Sequence, residues 1–308
     1  MERDPESAGV AVPQPTETNK PIAPGLYLVA TPIGNLEDIT LRALRILRSV
    51  DRIAAEDTRQ TAKLLHHFGI QTPTISYHRH NEAERTTELV HALKAGGRIA
   101  VVSDAGTPGI ADPGNEIAAA AIASGLPVFP IPGASALLAA VVASGMAPHE
   151  TGGFRFHGFL PAKAGQRRTV LEQLRGSVRE SLDVFYETPH RIQEALADVV
   201  AVFGPAQQVA LARELTKLHE EFLRGPAIQV LATLNARPTI RGEMVLMLAP
   251  GLLGSAETNG PQTIAEAVRE RMAGGVPEKD ALKQIARERG LGKSEIYREW
   301  QRTAHRGG

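Results

Sequence analysis

The chain of 308 residues is 43% hydrophobic, and its 34 Lys and Arg residues balance its 34 Asp and Glu residues. Its length allows two domains of ordinary size and a small appendage. Because its net charge is zero, any nucleic-acid partner would have to be recognised by a local basic patch. The absence of cysteine excludes disulfides, thiolate metal sites and a cysteine nucleophile, and agrees with a cytoplasmic location. The sequence contains no apolar run of the ~18 residues that a membrane span requires.

The first half of the chain alternates short apolar runs with helical patterns, after a lead-in at 1–23 that is predicted to be disordered. Strands are predicted at 26–30, 52–55, 74–77, 99–102 and 127–130. Helices are predicted at 41–49, 61–68, 82–93 and 115–124. This alternation predicts a first α/β domain at 24–133, built on a mostly parallel sheet with helices on both faces.

A second α/β domain is predicted at 134–250. Its strands are predicted at 155–158, 182–186, 208–212, 220–224 and 243–248, and its helices at 137–144, 166–174, 191–202 and 227–235. Because little helix separates the strands within 208–224, we expect a hairpin there and therefore a mixed sheet.

A linker at 251–261 leads to a helical tail at 262–308 that resembles a helix-turn-helix. The tail has ten Lys and Arg residues against seven Asp and Glu residues. One predicted helix begins at Pro277, and Ile296, Tyr297 and Trp300 are expected to share the apolar face of another. The tail is interpreted either as a solvated cap or oligomerisation module, or as a module that docks on RNA.

The loop at 103–114 is the strongest functional signal, because three glycines and two prolines occur within twelve residues directly after a predicted buried strand. Such a loop lets backbone groups approach a ligand closely. We expect Asp112 to cap the next helix and Pro113 to occupy its first position. The alternative is a long connection without function.

Three further loops follow strands of the first domain, at 30–35, 55–59 and 132–135. The first lacks the G-x-G-x-x-G pattern, so a standard dinucleotide site is not expected. Glu56 and Asp57 in the second are either acid/base groups or, for Asp57, a helix cap. Because ligands bind at the carboxyl ends of strands, these loops predict a cleft there.

In the second domain, 186–191 and 212–220 mix charges with turn residues after apolar strands. They are interpreted either as structural ion pairs or as the opposite wall of the same cleft. His78 and His80 have metal-ligand spacing but no evident third ligand, so no metal is expected. The sequence also lacks a Walker A loop and a G-x-S-x-G elbow.

Nine motifs from Pro24 onward, taken in order, resemble the ribosomal RNA small subunit methyltransferase I family of the tetrapyrrole methylase superfamily. They occupy 26–40, 55–59, 76–78, 81–82, 103–114, 132–136, 158–161, 186–191 and 213–217. The resemblance implies a two-domain tetrapyrrole methylase-like α/β fold with S-adenosylmethionine in the cleft between the domains. It also implies a cytoplasmic homodimer that methylates the ribose 2′-oxygen of cytidine 1402, in rRNA numbering, in the decoding centre of 16S rRNA of the small ribosomal subunit.

Carried over by motif position, the resemblance also assigns the residues expected to contact the cofactor. They are Pro32, Ile33, Gly34, Asp104, Gly106, Thr107, Pro108, Ile110, Ser135, Ala136, Tyr186, Glu187 and Ala212. The chain departs from the family pattern at Arg79, where Glu is frequent, and at Ala111 and Thr188, where Ser is common.

A ribose hydroxyl is a weak nucleophile, so a general base is expected to help. The candidates are Glu56, Asp57, His78 and Glu187, with Lys217 or Arg59 to orient phosphate or to stabilise oxyanion charge. Basic residues expected to receive rRNA phosphates at the cleft mouth are Arg59, Lys63, Arg79, Lys163, Arg167 and Arg168. Two alternatives remain at this point: a methylase of tetrapyrrole precursors, and a non-catalytic rRNA-binding assembly factor.

Overall fold

The computed structural model describes residues 21–146, 153–177, 180–251, 264–273, 276–289, 292, 296–298 and 300. The chain divides into two compact units, residues 1–250 and residues 251–308. Most of the predicted lead-in and of the predicted linker, and part of the turn expected at 290–292, lie outside the described residues. Among the described residues, no helix is long and apolar enough to cross a membrane.

The first sheet has five strands, all parallel, in the order β3-β2-β4-β1-β5. They are β1 (Gly25–Val29), β2 (Arg52–Ala55), β3 (Thr74–Ser76), β4 (Arg98–Val102) and β5 (Val128–Ile131). The helices between them are α1 (Leu41–Ser49), α2 (Thr58–His67), α3 (Glu82–Lys94) and α4 (Asn115–Ala123). The predicted parallel sheet is confirmed, and all its carboxyl ends lie at one edge.

Helices cover both faces of this sheet, which is why its central strands are apolar apart from Arg52 and Arg98 at their amino ends. Tyr27 and Val29 pack in one cluster with Leu47 of α1. Leu26, which points to the opposite face, packs with Leu89 of α3 and with residues of α4. Strands buried on both faces have continuous rather than alternating hydrophobic sequences.

The second sheet is mixed, with the order β6-β7-β10-β8-β9. Its strands are β6 (Phe154–Phe159), β7 (Leu182–Glu187), β8 (Gln208–Arg213), β9 (Glu221–Pro226) and β10 (Met244–Leu248). Its helices are α5 (Ala136–Ser144), α6 (Ala164–Arg175), α7 (Ile192–Phe203) and α8 (Ala227–Asn235). The expected hairpin is confirmed, since β8 and β9 pair antiparallel.

Strand direction in the second sheet brings opposite strand ends together. Because β10 runs antiparallel to both β7 and β8, its first residue, Met244, pairs with Glu187 and with Arg213. The amino end of β10 therefore lies beside the carboxyl ends of its two neighbours.

The second unit contains α9 (Ile264–Ala273) and α10 (Glu278–Arg289). Its core includes Ile285, Ile296 and Trp300, and the Trp300 indole donates a 3.0 Å hydrogen bond to Glu278 Oε1. The prediction that Tyr297 shares the buried face is wrong, because Tyr297 is 51% exposed.

The expected start of α4 at Asp112 and Pro113 is also wrong. The helix begins at Asn115, and Gly114 precedes it with a φ of 138°, which only glycine adopts readily. The Gly114 amide donates to Glu82 Oε1 (3.1 Å), and the Pro113 carbonyl accepts from the Gly109 amide (3.2 Å). These bonds fold the loop back before the helix begins, so Asp112 is not available as a cap.

Candidate functional site

A cavity of about 400 Å³ lies where loops at the carboxyl edge of the first sheet face strand ends of the second sheet. We call it the cleft. Its lining residues are Ile33, Glu56, Asp104, Ala105, Gly106, Thr107, Ile110, Ala111, Asp112, Ser135, Ala136, Phe159, Tyr186, Glu187, Thr188, Pro189, Leu215, Glu243, Met244 and Val245. The lining residues include some that were expected from the first α/β domain and some that were expected from the second.

Backbone hydrogen bonds hold the first-sheet loops together. Thr31 and Gly106 exchange N–H···O bonds of 2.9 and 3.1 Å, so the loop after β1 lies against the 103–114 loop. The Thr107 hydroxyl donates to the Ala134 carbonyl (3.3 Å), which ties in the loop before α5. The Ser135 side chain caps α5. The predicted meeting of these loops is confirmed.

Nine of the residues expected to contact a cofactor line the cleft. They are Ile33, Asp104, Gly106, Thr107, Ile110, Ser135, Ala136, Tyr186 and Glu187. Pro32, Gly34, Pro108 and Ala212 are not among the lining residues. Ala212 is fully buried within β8, and Gly34 lies under the side chain of Lys217. Their roles toward a cofactor stay predictions.

The first sheet supplies three carboxylates to the cleft, Glu56, Asp104 and Asp112. No ion pair joins them to a Lys or Arg within the described part of the chain. Burial raises the pKa of Asp112 to about 6, and the neighbouring Glu56 carboxylate adds to that shift. Burial likewise raises the pKa of Glu56, with a further contribution from the charge of Asp104. Such shifts are typical of functional sites.

The second sheet supplies Glu187, which is 2% exposed at the end of β7. Its Oε1 accepts hydrogen bonds from the Thr188 amide (2.8 Å) and from Arg191 Nε (2.9 Å). Its Oε2 is buried and has no hydrogen-bond partner. Because an unsatisfied buried oxygen is costly, this atom marks a place where a ligand donor is expected.

Glu243, at the amino end of β10, brings Lys217 to the rim of the cleft. Lys217 Nζ lies 2.8 Å from Glu214 Oε1 and 3.2 Å from Glu243 Oε2. Burial alone would lower the pKa of Lys217, but its contacts with Glu214 and Glu243 outweigh burial and raise it. The hydrogen bond from Lys217 lowers the pKa of Glu214 in turn.

Asp57, Arg59 and His78 do not line the cleft. The Asp57 carboxylate caps α2 by accepting from the Arg59 amide (2.8 Å), so the capping interpretation is confirmed. The Arg59 side chain pairs with the same carboxylate, which lowers the pKa of Asp57 to about 2. The His78 amide donates to Asn81 Oδ1, and its ring lies against His80.

The basic patch expected at the cleft mouth is partly wrong. Arg167 is 1% exposed and donates to Asp198 Oδ2 (2.7 Å), so it is a buried structural ion pair between α6 and α7. Arg168 bonds the other oxygen of Asp198. Arg79 instead lies beside the cleft, where it donates to the carbonyl of Ala111 (2.6 Å). Lys63 and Lys163 are exposed.

Sequence reasoning missed the lining residues at the start of β10, namely Glu243, Met244 and Val245, and also Phe159. Leu215 lies within 212–220, where the opposite wall of the cleft was one of the two interpretations. In a parallel sheet only the carboxyl ends of strands meet at the site, whereas the antiparallel direction of β10 brings its amino end to the cleft. The predicted hairpin and mixed sheet were the signal that could have found them.

A family model described as Tetrapyrrole (Corrin/Porphyrin) Methylases matches residues 25–231. The chain belongs to this family. Its curated relatives include two proteins named ribosomal RNA small subunit methyltransferase I. The relative from Halalkalibacterium halodurans is 45% identical over 88% of this chain and 93% of its own length. The relative from Bacillus subtilis is 42% identical over 88% of this chain and 92% of its own length.

Solved structures show the same fold. The methyltransferase CobJ aligns with a TM-score of 0.54 at 17% identity, over 74% of this chain and 94% of CobJ. A uroporphyrin-III C-methyltransferase from Thermus thermophilus, complexed with S-adenosylhomocysteine, aligns with a TM-score of 0.50 at 18% identity, over 73% of this chain and 97% of that one. The tetrapyrrole methylase-like fold expected from the sequence is confirmed.

Membership of this family makes the chain a methyltransferase that uses S-adenosylmethionine. The cleft fits this cofactor, which carries a sulfonium and an ammonium group. Five carboxylates and no Lys, Arg or His are among its lining residues, so the cleft favours a cation. The unpartnered Glu187 Oε2 offers an acceptor for a hydroxyl or amino group of the cofactor.

Proposed function

We propose that the protein transfers the methyl group of S-adenosylmethionine to the ribose 2′-oxygen of cytidine 1402 in the decoding centre of 16S rRNA. We also propose that the protein is a cytoplasmic homodimer and that it acts on the small ribosomal subunit. The observation that supports it is the 45% identity, over 88% of this chain, to proteins named ribosomal RNA small subunit methyltransferase I. Similarity to the tetrapyrrole-modifying enzymes of known structure is 14–18% and supports the fold alone.

In this proposal, Glu187 holds the cofactor. Arg191 and the Thr188 amide fix one carboxylate oxygen, and Oε2 is left without a protein partner in a side chain whose geometry is already set. A group that is preorganised in this way loses little entropy on binding. Bound S-adenosylmethionine supplies a methyl group on a positively charged sulfur. The acidic lining stabilises that charge before transfer.

Glu56 is the proposed proton acceptor. As the oxygen–carbon bond to the methyl group forms and the sulfur–carbon bond breaks, the proton of the 2′-hydroxyl must leave. Glu56 lines the cleft, has no ion-pair partner among the described residues, and has a raised pKa that makes it a stronger base than an exposed carboxylate. The walls of the cleft align donor and acceptor, which itself lowers the barrier.

The test is mass spectrometry of 16S rRNA fragments after the protein and S-adenosylmethionine are incubated with unmethylated small subunits. The expected result is one methyl group on the ribose of cytidine 1402. A methyl group on a base or at another nucleotide would contradict the proposed site. No methylation, with cofactor binding shown separately, would contradict the rRNA substrate and favour a tetrapyrrole precursor as acceptor.

A further inference from the structure

The loop after β8 carries Lys217 and has an unusually constrained backbone. Glu214 and Thr216 are non-glycine residues with φ of 52° and 63°, in the left-handed region. Ala111, in the loop that faces the cleft from the first sheet, is the other described non-glycine residue with positive φ. Strain of this kind is retained where the surrounding structure holds it, often at functional sites.

Two glycines make room for the side chains of this loop. A Cβ on Gly34 would overlap the aliphatic stem of Lys217, and a Cβ on Gly242 would overlap the carboxylate end of Glu214. The Lys217 stem therefore lies flat on the backbone of the loop after β1. This contact places a cation of the second sheet directly against the first sheet, at the rim of the cleft.

The two carboxylates bound to Lys217 differ in how firmly they are held. Glu214 Oε1 also accepts from the Glu243 amide (3.2 Å), and its side chain is 19% exposed. The Glu243 side chain is 74% exposed. Exposed ion pairs contribute little to stability, so the Glu243 carboxylate can leave Lys217 at small cost while Glu214 keeps the amine in place.

We infer that Lys217 binds a backbone phosphate of the acceptor RNA, and that this phosphate displaces the carboxylate of Glu243. The inference rests on the proposed function. The lining of the cleft is acidic and repels phosphate, so an incoming nucleotide must keep its phosphates at the rim while its ribose enters. Lys217 is a cation fixed at that rim, and a compact ammonium with a replaceable partner suits a phosphate oxygen.

The alternative role, stabilisation of charge on the 2′-oxygen, agrees less well with the contacts. Lys217 is not a lining residue of the cleft, and its amine is held by Glu214, which does not line the cleft either, and by the largely exposed carboxylate of Glu243. Arg59, the other candidate for phosphate, is engaged by the carboxylate that caps α2.

Binding of unmethylated small subunits, measured by filter binding between about 50 and 200 mM salt, tests the inference. Lys217→Met keeps the stem on Gly34 and removes the charge. It is expected to weaken binding about 5- to 10-fold and to reduce the slope of log K against log salt by about 0.7 to 0.9, the loss of one phosphate contact. Lys217→Arg is expected to restore the slope. Glu243→Gln is expected to strengthen binding about 2- to 5-fold, because the phosphate no longer displaces a carboxylate.

Lys94→Met is the matched control, since Lys94 is exposed at the end of α3, away from the carboxyl edge of the sheet. It is expected to leave binding unchanged. Affinity for S-adenosylmethionine is measured for the Lys217 and Lys94 variants and is expected to stay within about 2-fold, because neither residue is among the lining residues.

An unchanged salt slope in Lys217→Met would overturn the inference, and so would weaker binding in Glu243→Gln. A loss of cofactor affinity in Lys217→Met without a change in slope would show that Lys217 only holds the loop, and would overturn it as well. Failure of the wild-type protein to bind or methylate small subunits would instead contradict the proposed function, and the inference with it.

Discussion

The two sheets supply carboxylates of different kinds to the cleft. Glu56 and Asp112, from loops of the parallel sheet, have no ion-pair partner among the described residues and have raised pKa values. Glu187 and Glu243, from strand ends of the mixed sheet, are paired with Arg191 and Lys217. The difference separates two tasks: unpaired carboxylates can accept protons or respond to a cationic ligand, whereas Glu187, which is buried and paired with Arg191, keeps a fixed geometry for binding.

The strongest test of this comparison removes an unpaired carboxylate. Glu56→Gln is expected to lower kcat about 10²- to 10³-fold, because the proton of the acceptor hydroxyl loses its base. Affinity for S-adenosylmethionine is expected to change less than about 3-fold. Methylation of small subunits under saturating cofactor measures the first quantity, and calorimetry measures the second.

Glu172→Gln is a matched control for Glu56→Gln, because Glu172 is exposed on α6. It is expected to leave both quantities unchanged. If Glu56→Gln kept the wild-type kcat, the enzyme would work by alignment alone, and the separation of tasks would not hold for this residue.

The corresponding change among the paired carboxylates is Glu187→Gln. We expect it to weaken S-adenosylmethionine binding about 30- to 100-fold, because the amide cannot reproduce two acceptor oxygens in a buried position. The loss of charge beside Arg191 also loosens that geometry. Calorimetric titration with S-adenosylmethionine measures the affinity of the variant and of the wild type. A cofactor affinity equal to that of the wild type would show that Oε2 does not face the ligand.

A smaller effect is expected where the two sheets touch through Lys217. Gly34→Ala places a Cβ against the Lys217 stem and is expected to reduce kcat/KM for small subunits about 5- to 10-fold, because the amine must move. Gly165→Ala, in open space on the first turn of α6, is the matched substitution and is expected to leave kcat/KM unchanged. Equal activities of the two variants would contradict the fixed placement of Lys217.

The smallest effect concerns Asp112 and pH. The pKa of Asp112 is about 6 in the folded protein, against 3.8 for an unperturbed Asp in the unfolded chain. Between these two pH values the folded state binds more protons than the unfolded state. The free energy of unfolding therefore falls as pH rises from about 4 to about 6. Asp112→Asn is therefore expected to raise the free energy of unfolding at pH 7 by about 1 to 2 kcal/mol. In the wild type, ionisation of Asp112 is expected to raise the affinity for S-adenosylmethionine about 3-fold between pH 5 and 7. Asp112→Asn is expected to remove most of this rise.

Denaturant unfolding and calorimetry at several pH values measure these two effects. If the free energy of unfolding of Asp112→Asn showed the same pH dependence as that of the wild type, groups other than Asp112 would be responsible for that dependence. The comparison between unpaired and paired carboxylates would then rest on Glu56 and Glu187.

The parallel half of the site is predictable from sequence because topology gathers its loops. All five strands point the same way, so residues after β1, β2 and β4 must meet at one edge, and Ile33, Glu56 and Asp104 do line the cleft. The hairpin of the second sheet also follows from the spacing of the apolar runs, because little helix separates β8 from β9.

The remainder depends on packing that a single sequence does not reveal. Glu243 lines the cleft only because β10 runs against its neighbours. Arg167 is buried because α6 packs on α7, although its sequence context is that of a surface helix. The turn before α4 is fixed instead by hydrogen bonds from the Gly109 amide to the Pro113 carbonyl and from the Gly114 amide to the distant Glu82, so the helix begins at Asn115 and not at Asp112.

The central claim is that the cofactor occupies the acidic cleft with Glu187 as its fixed acceptor. A crystal structure of the protein with S-adenosylhomocysteine tests it most directly. We predict that the ligand lies between the 103–114 loop and the end of β7, and donates a hydrogen bond to Glu187 Oε2. A ligand bound elsewhere, or one in the cleft that leaves Oε2 without a partner, would contradict the account.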